Sequence, residues 1–321
     1  MKHPPYQLRP NKAVDRLYFL REIALVRQIW DRSLRYKYFG LGGPFLEDFR
    51  YVQERFPDMK CICIERDEET HKRQKFHKCS RNTVLIKSSI AEYLDNDFDD
   101  DQPCIFWLDF NNLKRSLIDV FVRLLTRVPK NSLIKVTLRT HFNNRSPSAN
   151  SLSGTEVLDH SEEKIIDEFG DALDTSVGDF NYSEFPAMIE NMLRIRIEKE
   201  LRGRGLRFKL FSSFKYEDGP MMLSVSGALV DEKSEDELHL KKIDRIDFKG
   251  WGAPTLIDVP NLSVKERLFL ERHLPVKSGE GDCLSRALGY RIDRNDFQSQ
   301  RKLLQYMEHY DCFPTFSRVT L

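Results

Sequence analysis

The sequence predicts a doubly wound α/β fold in which a seven-stranded, mainly parallel sheet is covered by helices on both faces. Three observations carry that expectation. Short apolar runs alternate with segments of helical period from about residue 36 to about residue 202. Successive apolar runs end in residues suited to ligand binding: the cluster Gly40-Leu41-Gly42-Gly43, then Glu65, then Asp109. Finally, two strand-like runs are joined by Glu217-Asp218-Gly219-Pro220, strong turn chemistry that makes the terminal pair an antiparallel hairpin.

In chain order, residues 11 to 33 read as a helix capped by Asn11, with Leu17, Leu20, Ala24 and Leu25 near one face. A strand at about 36–40 leads to a helix at 44–56 and a strand at 60–66. A basic helix at 68–78 precedes a strand at 83–87, and residues 95–101 (Asp-Asn-Asp-Phe-Asp-Asp-Asp) read as an acidic loop. Cys104-Ile105-Phe106-Trp107-Leu108 is continuously apolar, as expected of a strand covered on both faces. Leu113, Leu117, Phe121, Leu124 and Val128 then mark an amphipathic helix, and Leu133 to Leu138 another buried strand.

Residues 143–180 lack clear periodicity and read as an insertion with one short helix. A long helix at about 186–202 carries Ile189, Leu193, Ile197 and Leu201 on one stripe and is stopped by Gly203 and Gly205. Strands at 206–214 and 221–230 complete a first domain of residues 1–230; right-handed crossovers make it doubly wound. Residues 231–248 form a charged connector. Residues 249–321 form a small helical appendage, in which Ser263 and Glu266 make a capping box before a helix at 264–273, with a second helix at about 294–309.

A formal charge of +1 over 321 residues removes any global bias toward nucleic acid or anionic membrane, so such binding would need local patches. The first thirty residues lack the apolar core of a signal peptide. No apolar run approaches the roughly 20 residues needed to span a bilayer. Six cysteines without dense spacing suit a reducing compartment. The expectation is a soluble cytoplasmic protein.

Glycines after the first strand let the backbone turn and approach a ligand closely, and an acid after the second can accept both hydroxyls of a ribose. With Asp109 after the fourth strand and the terminal hairpin, the order over residues 11–230 resembles class I S-adenosylmethionine-dependent methyltransferases. Within that superfamily, Phe39-Gly40-Leu41-Gly42-Gly43-Pro44 and Leu108-Asp109-Phe110-Asn111-Asn112 look similar to the three-Cys-motif partner proteins of bacterial defence islands. The resemblance implies S-adenosylmethionine as cofactor. Tyr38, Gly40, Gly42 and Gly43 would lie along its methionine and ribose portions, and Glu65 would bind the ribose hydroxyls. Arg66 and Asp67 would lie near the adenine, Ser88 and Ser89 would stand where the family often has an acid or amide, and Asp109 would sit beside the sulfonium. Asp109 and Asn111 are the candidate catalytic residues, orienting the acceptor. A non-catalytic role in an antiviral defence complex, binding a nucleotide-like ligand or a protein, is the alternative.

Methyl transfer needs alignment and sometimes a base. Amino-methylating nucleic-acid enzymes carry Asp/Asn-Pro-Pro-aromatic after the fourth strand; Asp109-Phe110-Asn111-Asn112 keeps the acid but lacks the prolines and terminal aromatic. Pro103-Cys104 imitates a cytosine-C5 motif but lies at the wrong end of its strand. Asp109 with His141 and Asn143 or Asn144 could hold a hard cation, against the simpler reading in which Asp109 caps the next helix and the asparagines form a turn. Cys61, Cys63, His71, His77 and Cys79 lack zinc spacing. Two basic stretches are candidate nucleic-acid contacts, one with Lys72 and Arg73, the other with Arg202 and Arg204. The competing reading is solvated helix faces.

Overall fold

The structure, a computed structural model, describes residues 9–30, 35–140, 165, 167–170, 183–240, 250–275 and 282–313. The strands are β1 (Lys37–Gly40), β2 (Lys60–Glu65), β3 (Thr83–Lys87), β4 (Cys104–Asp109), β5 (Leu133–Arg139), β6 (Arg207–Glu217), β7 (Met221–Val230) and β8 (Thr255–Ile257). They order as β3-β2-β1-β4-β5-β7-β6-β8. The first five are parallel, and β7 runs antiparallel to β5. The sheet thus has one strand more than the expected seven, taken from residues beyond the connector.

The helices are α1 (Pro10–Ile29), α2 (Glu47–Arg55), α3 (Glu68–His77), α4 (Ile90–Asn96), α5 (Arg115–Arg127), α6 (Phe185–Leu201), α7 (Glu232–Leu240), α8 (Val264–Glu271), α9 (Asp282–Leu288) and α10 (Asp296–His309). α4 occupies the start of the expected acidic loop. Its capping box, Ser89 with Glu92, satisfies two orphan N–H groups and outweighs the acidic run that follows. α7 likewise forms inside the charged connector, because Asp231 accepts the N–H of Ser234 at 2.9 Å and Leu238 is buried.

The chain divides into two compact units. The larger, residues 20–215 and 220–255, holds the parallel strands. One sheet face is apolar: Ile62, Phe39, Phe106 and Ile134 are register partners across four strands, and Phe39 stacks on Phe106 with centroids 4.4 Å apart. α4, α5 and α6 add buried residues to that core, as do Phe208 and Leu210 of β6 and Leu223 and Val225 of β7. The opposite face carries Tyr38, Trp107, Lys135 and Ser226; Phe49 of α2 packs against Tyr38, and Glu22 of α1 accepts a hydrogen bond from Ser226 at 2.6 Å. Helices on both faces agree with two directions of right-handed crossover from β1.

The smaller unit comprises residues 1–19, 216–219 and 256–321. Asn11 is not the cap of α1, which begins at Pro10. Instead the Asp218 carboxylate in the β6–β7 turn accepts the first-turn N–H groups of Asn11 (3.3 Å) and Lys12 (2.8 Å), while Asn11 Oδ1 accepts from Val259 N at 2.9 Å. The capping box of Ser263 and Glu266 opens α8, and Asp258 pairs with Arg301 and Lys302 of α10. No helix among the described residues is long and apolar enough to cross a membrane.

Candidate functional site

The strand order reverses between β1 and β4, and open α/β sheets bind ligands at the carboxyl ends of strands beside such a switch point. The loop leaving β1 stands there. Gly43 N donates to Leu41 O at 2.9 Å across Gly42, whose φ of 72° closes a three-residue turn. A Cβ on Gly42 would lie 2.7 Å from Cys63 Sγ, 2.8 Å from Leu46 Cδ2 and 3.0 Å from Phe49 Cε2. Gly42 is therefore required by packing beneath the loop. Gly43, at φ 55°, has nothing within 4 Å of the same position and presents its backbone to open space.

Gln74 of α3 holds this loop from below. It is fully buried, and its Nε2 donates to Leu41 O at 3.3 Å and Gly43 O at 3.1 Å. Cys63 adds a weak thiol donor to Leu41 O at 3.5 Å. Neither contact is visible in the motif itself. The available signal was the helical spacing of the buried pair His71 and Gln74 inside an otherwise charged segment.

Gly40 pairs with Cys63 on one side and Trp107 on the other. Glu65 and Asp109 each lie two residues beyond those partners, so both stand on one sheet face, about 7 Å past Gly40 and roughly 10 Å apart at Cα across two strand spacings. Both are half-buried. Glu65 Oε1 accepts the N–H of Asp67 at 2.7 Å. Asp109 does not cap the following helix, because α5 starts only at Arg115, with Lys114 as N-cap.

Other sequence-predicted residues have structural engagements. Tyr38 is buried below the loop with its ring edge-on to Phe49 at 5.1 Å. Asp67 caps α3 by accepting Thr70 N at 2.7 Å, which holds its carboxyl below the usual range. Ser89 caps α4, Ser88 Oγ donates to Ser89 O at 3.1 Å, and Arg66 is exposed. After β4, Asn111 is exposed, whereas Phe110 is buried and its N–H donates to Thr137 O at 2.9 Å. His141, Asn143 and Asn144 lie outside the described residues.

Beneath the carboxylates runs a buried polar row that the sequence reading missed. Lys135 is fully buried, with its ammonium 5.0 Å from the Trp107 ring centroid. Trp107 Nε1 donates to Thr137 Oγ1 at 3.0 Å, and Ser212 and Ser226 hydroxyls lie 2.7 Å apart. The alternation Lys135, Thr137, Arg139 was the signal, hidden within an apolar run.

Burial pushes the Cys61 thiol up to about 12 and raises Cys63 and Cys104 as well, so these sulfurs stay protonated. A depression of about 400 Å³ lined by Ala24, Arg27, Gln28 and Phe56 lies near the start of β2, at the opposite strand ends from the carboxylates. Of the basic candidates, Lys72 pairs with Glu69 at 2.8 Å and Arg73 covers the Phe45 ring at 4.7 Å. Arg204 pairs with Glu200 at 3.5 Å and donates to Thr126 O at 3.5 Å, while Arg202 is exposed.

No curated protein matches this chain. Similar solved structures include the mitomycin 7-O-methyltransferase MmcR, 13% identical with a TM-score of 0.33 over 65% of this chain. This chain spans about half of that enzyme's length, 53%. The plantazolicin methyltransferase BamL, solved with S-adenosylhomocysteine (SAH), is 12% identical at TM-score 0.40, with 67% of this chain and 85% of that one covered. An O-methyltransferase family protein from Burkholderia thailandensis is 13% identical at TM-score 0.34, with 67% and 58% covered. Likenesses this distant add nothing to the geometry above. The sequence match is of another order: the family described as "Putative O-methyltransferase" matches residues 4–321, and the chain belongs to that family.

Proposed function

We propose that this chain is an S-adenosylmethionine-dependent methyltransferase whose cofactor lies over the Gly40–Gly43 loop between Glu65 and Asp109. The observation that carries the reading is the pair of half-buried carboxylates placed by strand register on either side of an open glycine backbone. The residues fit the group. Glu65 offers acceptors for ribose hydroxyls, and the open side of Gly43 admits a close approach that a side chain would obstruct. When bound, S-adenosylmethionine supplies an electrophilic methyl group. The chain's part is then alignment: Asp109 accepts a hydrogen bond from the acceptor, and exposed Asn111 orients it. The family description favours an oxygen acceptor. In this reading the chain works in the cytoplasm, in keeping with free thiols at Cys61, Cys63, Cys79, Cys104 and Cys312.

Calorimetric titration with S-adenosylmethionine and SAH tests the cofactor. Wild type binds, and Glu65→Ala weakens binding about tenfold or more, the worth of charge-assisted hydrogen bonds to a carboxylate. No heat from a folded wild type would overturn the proposal. A second reading, a non-catalytic partner in an antiviral defence complex, is favoured by the burial of Phe110, which leaves no aromatic after β4 to stack an acceptor base. Methylated product from any acceptor screen would exclude it.

A further inference from the structure

We infer that the exposed face of α3 is a docking surface for single-stranded nucleic acid. Phe76 is 86% exposed, an unusual position for a large apolar side chain on a charged helix. It is not isolated. Its ring lies edge-on to His77 with centroids 5.2 Å apart, and His77 lies 5.2 Å from Phe45, which Arg73 covers at 4.7 Å. Arg73, Phe76 and His77 share one helix face by their spacing of three and four. Three rings and a guanidinium thus form one continuous row, beginning two residues past Gly43.

Charge surrounds that row. Lys75, Lys78 and Arg81 are exposed and have no ion-pair partner among the described residues, whereas Lys72 is neutralised by Glu69. Sequence-tolerant binding of single strands combines these two elements: cations that follow the phosphates and aromatic faces on which bases stack. An acidic peptide would satisfy the cations and leave the ring row unused. The patch at Arg202 and Arg204 differs, since Arg204 is already engaged by Glu200 and no exposed aromatic among the described residues is placed with it. The inference therefore assigns the role to α3.

The test is fluorescence anisotropy of the full chain with labelled 20-nucleotide single strands, DNA and RNA in separate arms, and with no cofactor present. Its outcome is thus separable from that of the cofactor titration. Binding to at least one strand type is expected, weakening with salt. Phe76→Ala should weaken it about fivefold or more, with the melting temperature unchanged because the ring is exposed. Lys75→Ala with Lys78→Ala should lower the slope of log affinity against log salt by about 1.4, two phosphate contacts' worth. Arg202→Ala with Arg204→Ala should bind within twofold of wild type. Absence of binding to both strands would overturn the inference. So would equal affinity for polyglutamate or for phosphatidylserine vesicles, a Phe76→Ala variant that binds like wild type, or a larger loss at Arg202 and Arg204 than on α3.

Discussion

Replacing Gly42 by alanine separates what the loop does for the fold from what it does for a ligand. The new Cβ would stand 2.7 Å from Cys63 Sγ, 2.8 Å from Leu46 Cδ2 and 3.0 Å from Phe49 Cε2, on a backbone held at φ 72°. The left-handed conformation costs about 1–2 kcal/mol for an L-residue. Overpacking adds about 1–3 kcal/mol, and the reduced entropy of the unfolded chain returns roughly 0.4–1 kcal/mol. The net loss is about 1–5 kcal/mol, a large part of the 5–15 kcal/mol typical of a folded domain. Gly43→Ala is the matched control. Its φ is 55° and its Cβ meets nothing, so only the backbone strain remains, about 0–1.6 kcal/mol after the same offset. Urea unfolding followed by tryptophan fluorescence reads the relevant unit, because Trp30, Trp107 and Trp251 all lie in it. Gly42→Ala should lose the more stability, whereas Gly43→Ala should lose only the backbone term and should weaken SAH binding. Equal unfolding midpoints for the two variants would refute the packing argument.

Two further outcomes follow from the same geometry. Gln74→Leu removes both donors to Leu41 O and Gly43 O and should cost about 1–3 kcal/mol in urea unfolding, with weaker SAH binding by calorimetry. Gln74→Glu, which sets an acceptor against two carbonyls, should be worse; wild-type behaviour from both would show that the loop is held otherwise. Glu190 is buried, and desolvation raises its carboxyl above the usual carboxylate range, although it accepts the N–H of Gly252 at 2.9 Å. A carboxyl raised in the folded state binds its proton more tightly there than in the unfolded chain, so stability falls as pH rises above about 4.5. Glu190→Gln keeps the acceptor without the charge, and its stability advantage in thermal melts should grow from pH 4.5 to pH 7; an advantage independent of pH would contradict this.

The strand-end signals were legible because each is local: Gly40 to Gly43, Glu65 and Asp109 are punctuated by their own apolar runs. What escaped depends on partners distant in sequence. Gln74 reads as one polar residue in a basic helix until α3 is laid under the loop 31 residues earlier. Lys135 reads as an interruption of a buried strand until Ser226 is paired opposite it and Glu22 closes the network from α1. Asn11 was the obvious cap of α1, yet the cap came from Asp218, 206 residues beyond Lys12, in a turn whose partner the sequence does not name. Ser89 and Glu92 were local and readable, and the acidic residues after them obscured the box.

The two sheet faces divide the labour of placing the site. Side chains alternate with period two, so a slip of one residue would send Glu65 and Asp109 to the opposite face. What forbids the slip is the apolar row Ile62, Phe39, Phe106 and Ile134, whose stacked pair would be moved onto the polar side. The polar row opposite, Cys63, Gly40, Trp107, Lys135 and Ser226, could not fix register by hydrophobic burial alone. It supplies the floor of the crevice, with hydrogen bonds such as Trp107 to Thr137 satisfying its buried groups. The carboxylates belong to the polar face by alternation and owe their positions to the apolar one. A core substitution such as Phe106→Ala would therefore reach the site through strand register, without touching a residue that faces the ligand.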